Sequence, residues 1–179
     1  PVRDTPGAER YLANLDINQS MLDGAQWRWL EEQLKIPADI RIVMSSIQVV
    51  AEGHGWERWE NFSIERERLF HLLRHRSPSD LLLVSGDRHI GEAYQLEFAG
   101  ELSTEITSSG LNVAWAGSRE YLPNQFGTPA REDHFAILST NNTGLDRVVW
   151  LNSKGLPITS IKMKKGTWHS LNKLKQMEK

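Results

Sequence analysis

The chain has 179 residues, 39% hydrophobic and 25% charged, which fits one folded domain with a real core and excludes a disordered chain. Its 21 Lys and Arg against 23 Asp and Glu leave no bulk positive field that points to nucleic acid or an anionic membrane. No run approaches the ~20 apolar residues of a membrane-spanning helix, and the lack of Cys excludes disulfides and thiolate metal sites while leaving the redox compartment open.

The sequence opens at Pro1 without an initiator Met or a visible signal peptide, which reads as a processed product or a fragment. Residues 1–20 lack periodicity and predict a loop or extension. Asp23, with Gln26 three residues on, predicts a capping box and a helix whose stripe is Trp27, Leu30 and Leu34, ended by Pro37. "DIRIVMSSIQVV" (39–50) predicts a buried strand and its turn, and "AEGHGWERWENF" (51–62) a loop. Ser63 is a cap for a second helix with Leu69, Leu72, Leu73 and the stem of Arg76 on one face, stopped by Ser77 and Pro78. "DLLLVSG" (80–86) is the next strand. This alternation predicts an α/β layered fold with a parallel pair of strands. "AYQLEFAG", "LSTEITSS", "HFAILST", "DRVVWLN" and "PITSIKM" then predict antiparallel strands, and the Lys-rich stretch from Lys162 a solvated end.

Functional residues in α/β sheets gather beyond the carboxyl ends of strands. Two loops here leave such ends. The first holds Gln48, His54, Trp56 and Trp59; the second, in "LLLVSGDRHIGEA", holds Asp87, Arg88 and His89. Asp87 and His89 are two apart, so an extended strand end points both the same way, where a carboxylate and an imidazole can ligate a cation. Gly86 lets the backbone turn sharply. The alternative is a surface turn with an Asp87–Arg88 ion pair, because two residues do not complete a metal site. His54, between Gly53 and Gly55, is either a substrate contact beside aromatic walls or part of a loop that Trp59 and Phe62 staple to the core. His71 and His75 have metal-ligand spacing, but among four Arg they read as a solvated helix face. Thr107, Ser108 and Ser109 precede Gly110 in a turn that offers hydroxyls and amides to an anion, or only local hydrogen bonds. His134 suits either core or site. No Gly-rich phosphate loop or nucleophile elbow appears.

"MLDGAQWRWLEEQL", "IVMSSIQVVAEGHGWERWENF", "ERERLF", "LLLVSGDRHIGE" and "EITSSGL" occur in this order. Together they resemble the C-terminal half of PhoD-like alkaline phosphatases, a branch of the calcineurin-like metallophosphoesterase superfamily, over residues 11–165. The resemblance implies a layered α/β sandwich of mixed β-sheets flanked by helices, with 1–20 an extension, 21–165 the C-terminal portion of the domain and 166–179 a basic tail. It implies hydrolysis of phosphoric mono- or diesters, small-molecule phosphate esters, at a divalent or mixed metal cluster (Ca, Fe, Mn or Zn). His89 matches the second imidazole of the superfamily's Gly-His-x-His motif and Asp87 stands at the first, so these two are the metal and catalytic candidates. His54, Arg88 and Trp56 are the substrate-binding candidates. Guanidinium pairs well with phosphate, although Arg88, between two inward-facing neighbours, is expected to point away from them. The family's earlier motifs, Asp-x-His, Gly-Asp and Asn-His, are not in this sequence, so an N-terminal half is the implied partner. A periplasmic or secreted parent is implied as well. The rival readings are a truncated non-catalytic module that binds a phosphorylated ligand or protein, and a fragment that self-associates through an unpaired sheet edge.

Overall fold

The computed structural model describes residues 11–16, 18–74, 80–117, 122–164 and 167–171. Helix α1 (Gly24–Lys35) starts where the capping box places it. Asp23 accepts from the backbone N–H of Ala25 and Gln26, each at 2.8 Å, and Gln26 accepts from the Asp23 N–H at 3.0 Å. The helix ends two residues before Pro37 and buries Trp27, with Leu30 and Leu34 packed against the core. Strand β1 (Arg41–Ser45) follows. A 3-10 turn (Trp59–Phe62) then runs straight into α2 (Ser63–Leu73). Ser63 is therefore the first helical residue rather than the cap, a position that Phe62 takes without a side-chain hydrogen bond. Arg76, Ser77 and Pro78 lie outside the described residues.

Strands β2 (Leu81–Ser85), β3 (Gly91–Phe98), β4 (Glu101–Ser108) and β5 (Gln125–Ala130) complete a five-stranded sheet ordered β1-β2-β4-β3-β5. The expected parallel pair is present, Val43 lying opposite Leu83, and β4 joins it as a third parallel strand. Only β3 is antiparallel to both its neighbours. Alternation along β2 sends Leu81 and Leu83 towards the helices, where Trp27, Trp59, Leu69 and Phe70 form one core, and Leu82 to the opposite face.

That opposite face meets an antiparallel sheet of β6 (His134–Asn141), β7 (Gly144–Asn152), β8 (Pro157–Lys164) and β9 (Thr167–Leu171), in that order. The solvated end expected from Lys162 is thus sheet: β8 runs through Lys164, Trp168 of β9 is buried, and the sheet crosses the boundary placed at 165. Leu82, Ala93, Ile106, Val148, Trp150 and Ile161 fill the second core. Trp150 docks the two sheets, its Nε1 donating to Thr107 O at 3.0 Å. Gly91 leaves room for it, since a Cβ there would lie 2.4 Å from the Trp150 ring. The result is mostly β-sheet, with two short helices over one face. β1 is an edge strand, and its Ile42 and Met44 are 46% and 79% exposed. No helix among the described residues is long and apolar enough to cross a membrane.

Candidate functional site

The three parallel strands end on one side, and the loops leaving them converge there. β1 delivers residues 46–58, β2 delivers 86–90, and β4 delivers 109–117. The first loop is buried at 48–51, which requires partners for its backbone polar groups. Two side chains supply them. Glu105, from the middle of β4, accepts the N–H of Val49 at 2.8 Å, Val50 at 2.7 Å and Ala51 at 3.3 Å. Arg66 of α2 donates to Val49 O at 2.6 Å and Val50 O at 2.8 Å, and pairs with Glu52 at 2.8 Å. Burial pushes the Glu105 carboxyl above the usual range, against the pull of those N–H groups. Beside it, Glu92 accepts from the Tyr94 hydroxyl at 2.6 Å and the Gln125 amide at 2.9 Å, while Gln48 donates to Thr107 Oγ1 at 2.8 Å. Burial and the adjacent Glu92 raise the Tyr94 hydroxyl, keeping it a donor.

The second loop is a tight turn rather than an extended strand end. The Arg88 N–H donates to Gly86 O at 2.9 Å, closing a three-residue turn centred on Asp87, whose φ is +70°; His89 is left-handed too, at +57°. Asp87 and His89 stand exposed, and Arg88 between them is buried. All three nevertheless line one cleft of about 560 Å3, together with Trp56, Glu57 and Trp115. The His89 N–H donates to Ser109 Oγ at 2.8 Å, and the Trp115 N–H to His89 O at 2.7 Å, so the third loop pins the second. Left-handed backbone costs an L-residue about 1–2 kcal/mol that glycine does not incur. Asp87→Gly is therefore expected to leave stability unchanged or raise it by up to about 1 kcal/mol, whereas Asp87→Val should lower it by at least that much. Thermal melts of the two variants check this, and equal melting points would remove the strain.

His54 is only 3% exposed and is absent from the cleft lining. Its Nδ1 accepts from the Trp56 N–H at 3.1 Å, which puts the neutral ring's proton on Nε2, a buried atom with no hydrogen-bond partner among the described residues. Burial, then the nearby Arg88 and Arg58, holds its pKa down to about 3. Trp56 meets Trp115 with ring planes at 90° and centroids 5.9 Å apart. Trp59 instead belongs to the core, edge-on to Trp27, with Nε1 donating to Ser45 Oγ at 3.0 Å. Thr107 is buried in the polar network, and Ser109 holds His89, so both hydroxyls are used locally. His134 is buried under Gly110, where a Cβ would come within 2.4 Å of its ring, and it braces the third loop from below. His71 is exposed and packs against Phe98, while His75 lies outside the described residues.

Among the described residues no three His, Asp or Glu side chains gather to hold a metal ion. Asp87 and His89 are donors of suitable type on one rim, enough for a share of a metal cluster and too few to complete it. Sequence reading missed Trp115, Glu57, Glu92 and Glu105. A signal for Trp115 existed: it follows the end of a strand, but of one taken as antiparallel.

No family model and no curated protein matches the sequence. Among solved structures the chain is similar to PhoD, with a TM-score of 0.65 and 14% identity, over 87% of this chain and 36% of that one. The fold is PhoD-like. It is also similar to GAP50, the anchor in the inner membrane complex of Plasmodium, with a TM-score of 0.59 and 19% identity, over 89% of this chain and 45% of that one. At such identities the likeness is one of fold. The chain spans less than half the length of either structure.

Proposed function

We propose that this chain is part of a metal-dependent phosphoric ester hydrolase, acting on mono- or diesters, and lends Asp87 and His89 to a metal cluster completed from an N-terminal half outside this sequence. One observation carries the reading: Asp87, Arg88 and His89 line a single cleft at the carboxyl ends of three parallel strands in a PhoD-like fold. Bound metal (Ca, Fe, Mn or Zn) would polarise a phosphoryl oxygen and acidify a bound water. The chain's own residues hold and orient. Ser109 and Trp115 fix His89 through its N–H and C=O, and buried Arg88 brings positive charge to the phosphate. Trp56 forms a wall for the substrate, and His54 positions Trp56 from behind by accepting its N–H. The N-terminal half would extend the sheet at β1 and cover Ile42 and Met44. A periplasmic or secreted parent belongs to the same proposal.

The test is metal analysis of the protein carrying its N-terminal half, alongside hydrolysis of 4-nitrophenyl phosphate and its bis ester. His89→Ala is expected to lose bound metal and both activities. Unchanged metal content would take His89 out of the ligand set. A second reading, a non-catalytic module that binds a phosphorylated ligand or protein, or a second copy of itself through β1, is favoured by the shortage of donors among the described residues and by the fold likeness to an anchor. A metal-free, inactive protein that elutes with a partner or as a dimer supports it.

A further inference from the structure

We infer that the cleft also receives the alcohol side of the ester, and that this alcohol carries a planar aromatic ring, as in nucleotides and aryl phosphates. The inference rests on the hydrolase reading for the phosphate and on separate geometry for the ring. Trp56 and Trp115 come from different loops, both line the cleft, and their planes stand at 90° with centroids 5.9 Å apart. Two perpendicular rings make a corner in which a third ring stacks on one wall and meets the other edge-on, the arrangements that aromatic pairs favour. Trp115 keeps 38% of its surface exposed, so apolar area remains for a ligand to cover. A cleft of about 560 Å3 falls within the range that encloses small organic ligands.

Occupancy of the Trp115 ring decides which group belongs there. A pair of Trp also suits a quaternary ammonium group. The face of Trp115 already carries one cation, however: the Arg88 guanidinium lies over it, 5.7 Å from the ring centre, and a second cation would have to share that ring. Glu57, also in the lining, is an acceptor for a ring N–H or a sugar hydroxyl. The bond from the Trp115 N–H to His89 O sets the ring corner directly beside the residue proposed to hold metal.

Phosphonates test this without turnover, because their carbon–phosphorus bond is not an ester. Calorimetry on the protein with its N-terminal half would compare phenylphosphonate, propylphosphonate, 2-(trimethylammonio)ethylphosphonate and adenosine. The phenyl compound is expected to bind about tenfold or more tighter than the propyl one, a difference of the size that one stacked ring supplies. Trp115→Ala should erase that preference and leave propylphosphonate binding in place, and Trp115→Phe should restore most of it. Equal affinities, preference for the trimethylammonio compound, or no binding of either ring-bearing compound overturns the inference. Adenosine separates the two proposals: a protein that binds it and hydrolyses no ester keeps the ring site and loses the hydrolase reading. Hydrolysis without ring preference does the reverse.

Discussion

Replacing Glu105 with alanine is expected to lower the unfolding free energy by about 3–5 kcal/mol. The carboxylate satisfies three buried backbone N–H groups, of Val49, Val50 and Ala51, and each would be left without a partner at a cost of about 1–3 kcal/mol. Relief of burying the carboxyl, and water entering the hole, offset part of the sum. Glu105→Gln keeps one acceptor oxygen but turns an amide donor towards N–H groups, so about half the loss is expected. Urea midpoints with unchanged slopes measure both. A loss below about 1 kcal/mol for the alanine variant would show that residues 49–51 find other acceptors. Because Arg66 holds the carbonyls of the same segment, Glu105→Ala and Arg66→Met should be strongly non-additive.

What the sequence disclosed was local. The Asp23–Gln26 box and the Trp27 stripe start and orient α1 because capping and helical spacing act within one turn. The parallel pair β1 and β2 was legible from apolar runs joined through a helix. Strand β5 was not, because Gly127 and Pro129 interrupt it and an edge strand tolerates both. β9 follows a Lys-rich stretch and reads as polar, yet Trp168 turns inward. Pairing also lay beyond local pattern. That β4 runs parallel to β2, and so brings Trp115 to the cleft, depends on the β3 turn returning the chain between them in sequence but not in space. Glu92 and Glu105 carry no local signal of their role, because it is the loop from β1, distant in sequence, that folds over them. Asp87 and His89 do share a rim, by two left-handed residues rather than the extended backbone that their spacing suggested.

Acid should loosen the same loop through His54. Its pKa is about 3 in the folded chain against 6.5 for the free side chain, so the unfolded state takes up the proton first as pH falls. Between those two values the unfolded chain binds more protons, and stability is lost on acidification at up to about 1 kcal/mol per pH unit. Above that window the residue contributes no slope. In His54→Asn, the side-chain oxygen can accept the Trp56 N–H as Nδ1 does, and the titrating group is gone. The variant should therefore show a flatter acid limb between about pH 6 and pH 4 in denaturant melts, and parallel limbs would mean that the folded chain accommodates the proton. Protonation would also end the acceptor role of Nδ1 and set a third positive charge against Arg88 and Arg58. Trp56 would lose its tether while the cation behind the cleft repelled the guanidinium within it. In the folded parent chain His54 stays neutral through most of that window, so ligand binding that depends on Trp56 should hold until the pH nears about 3 and persist further into acid in the asparagine variant.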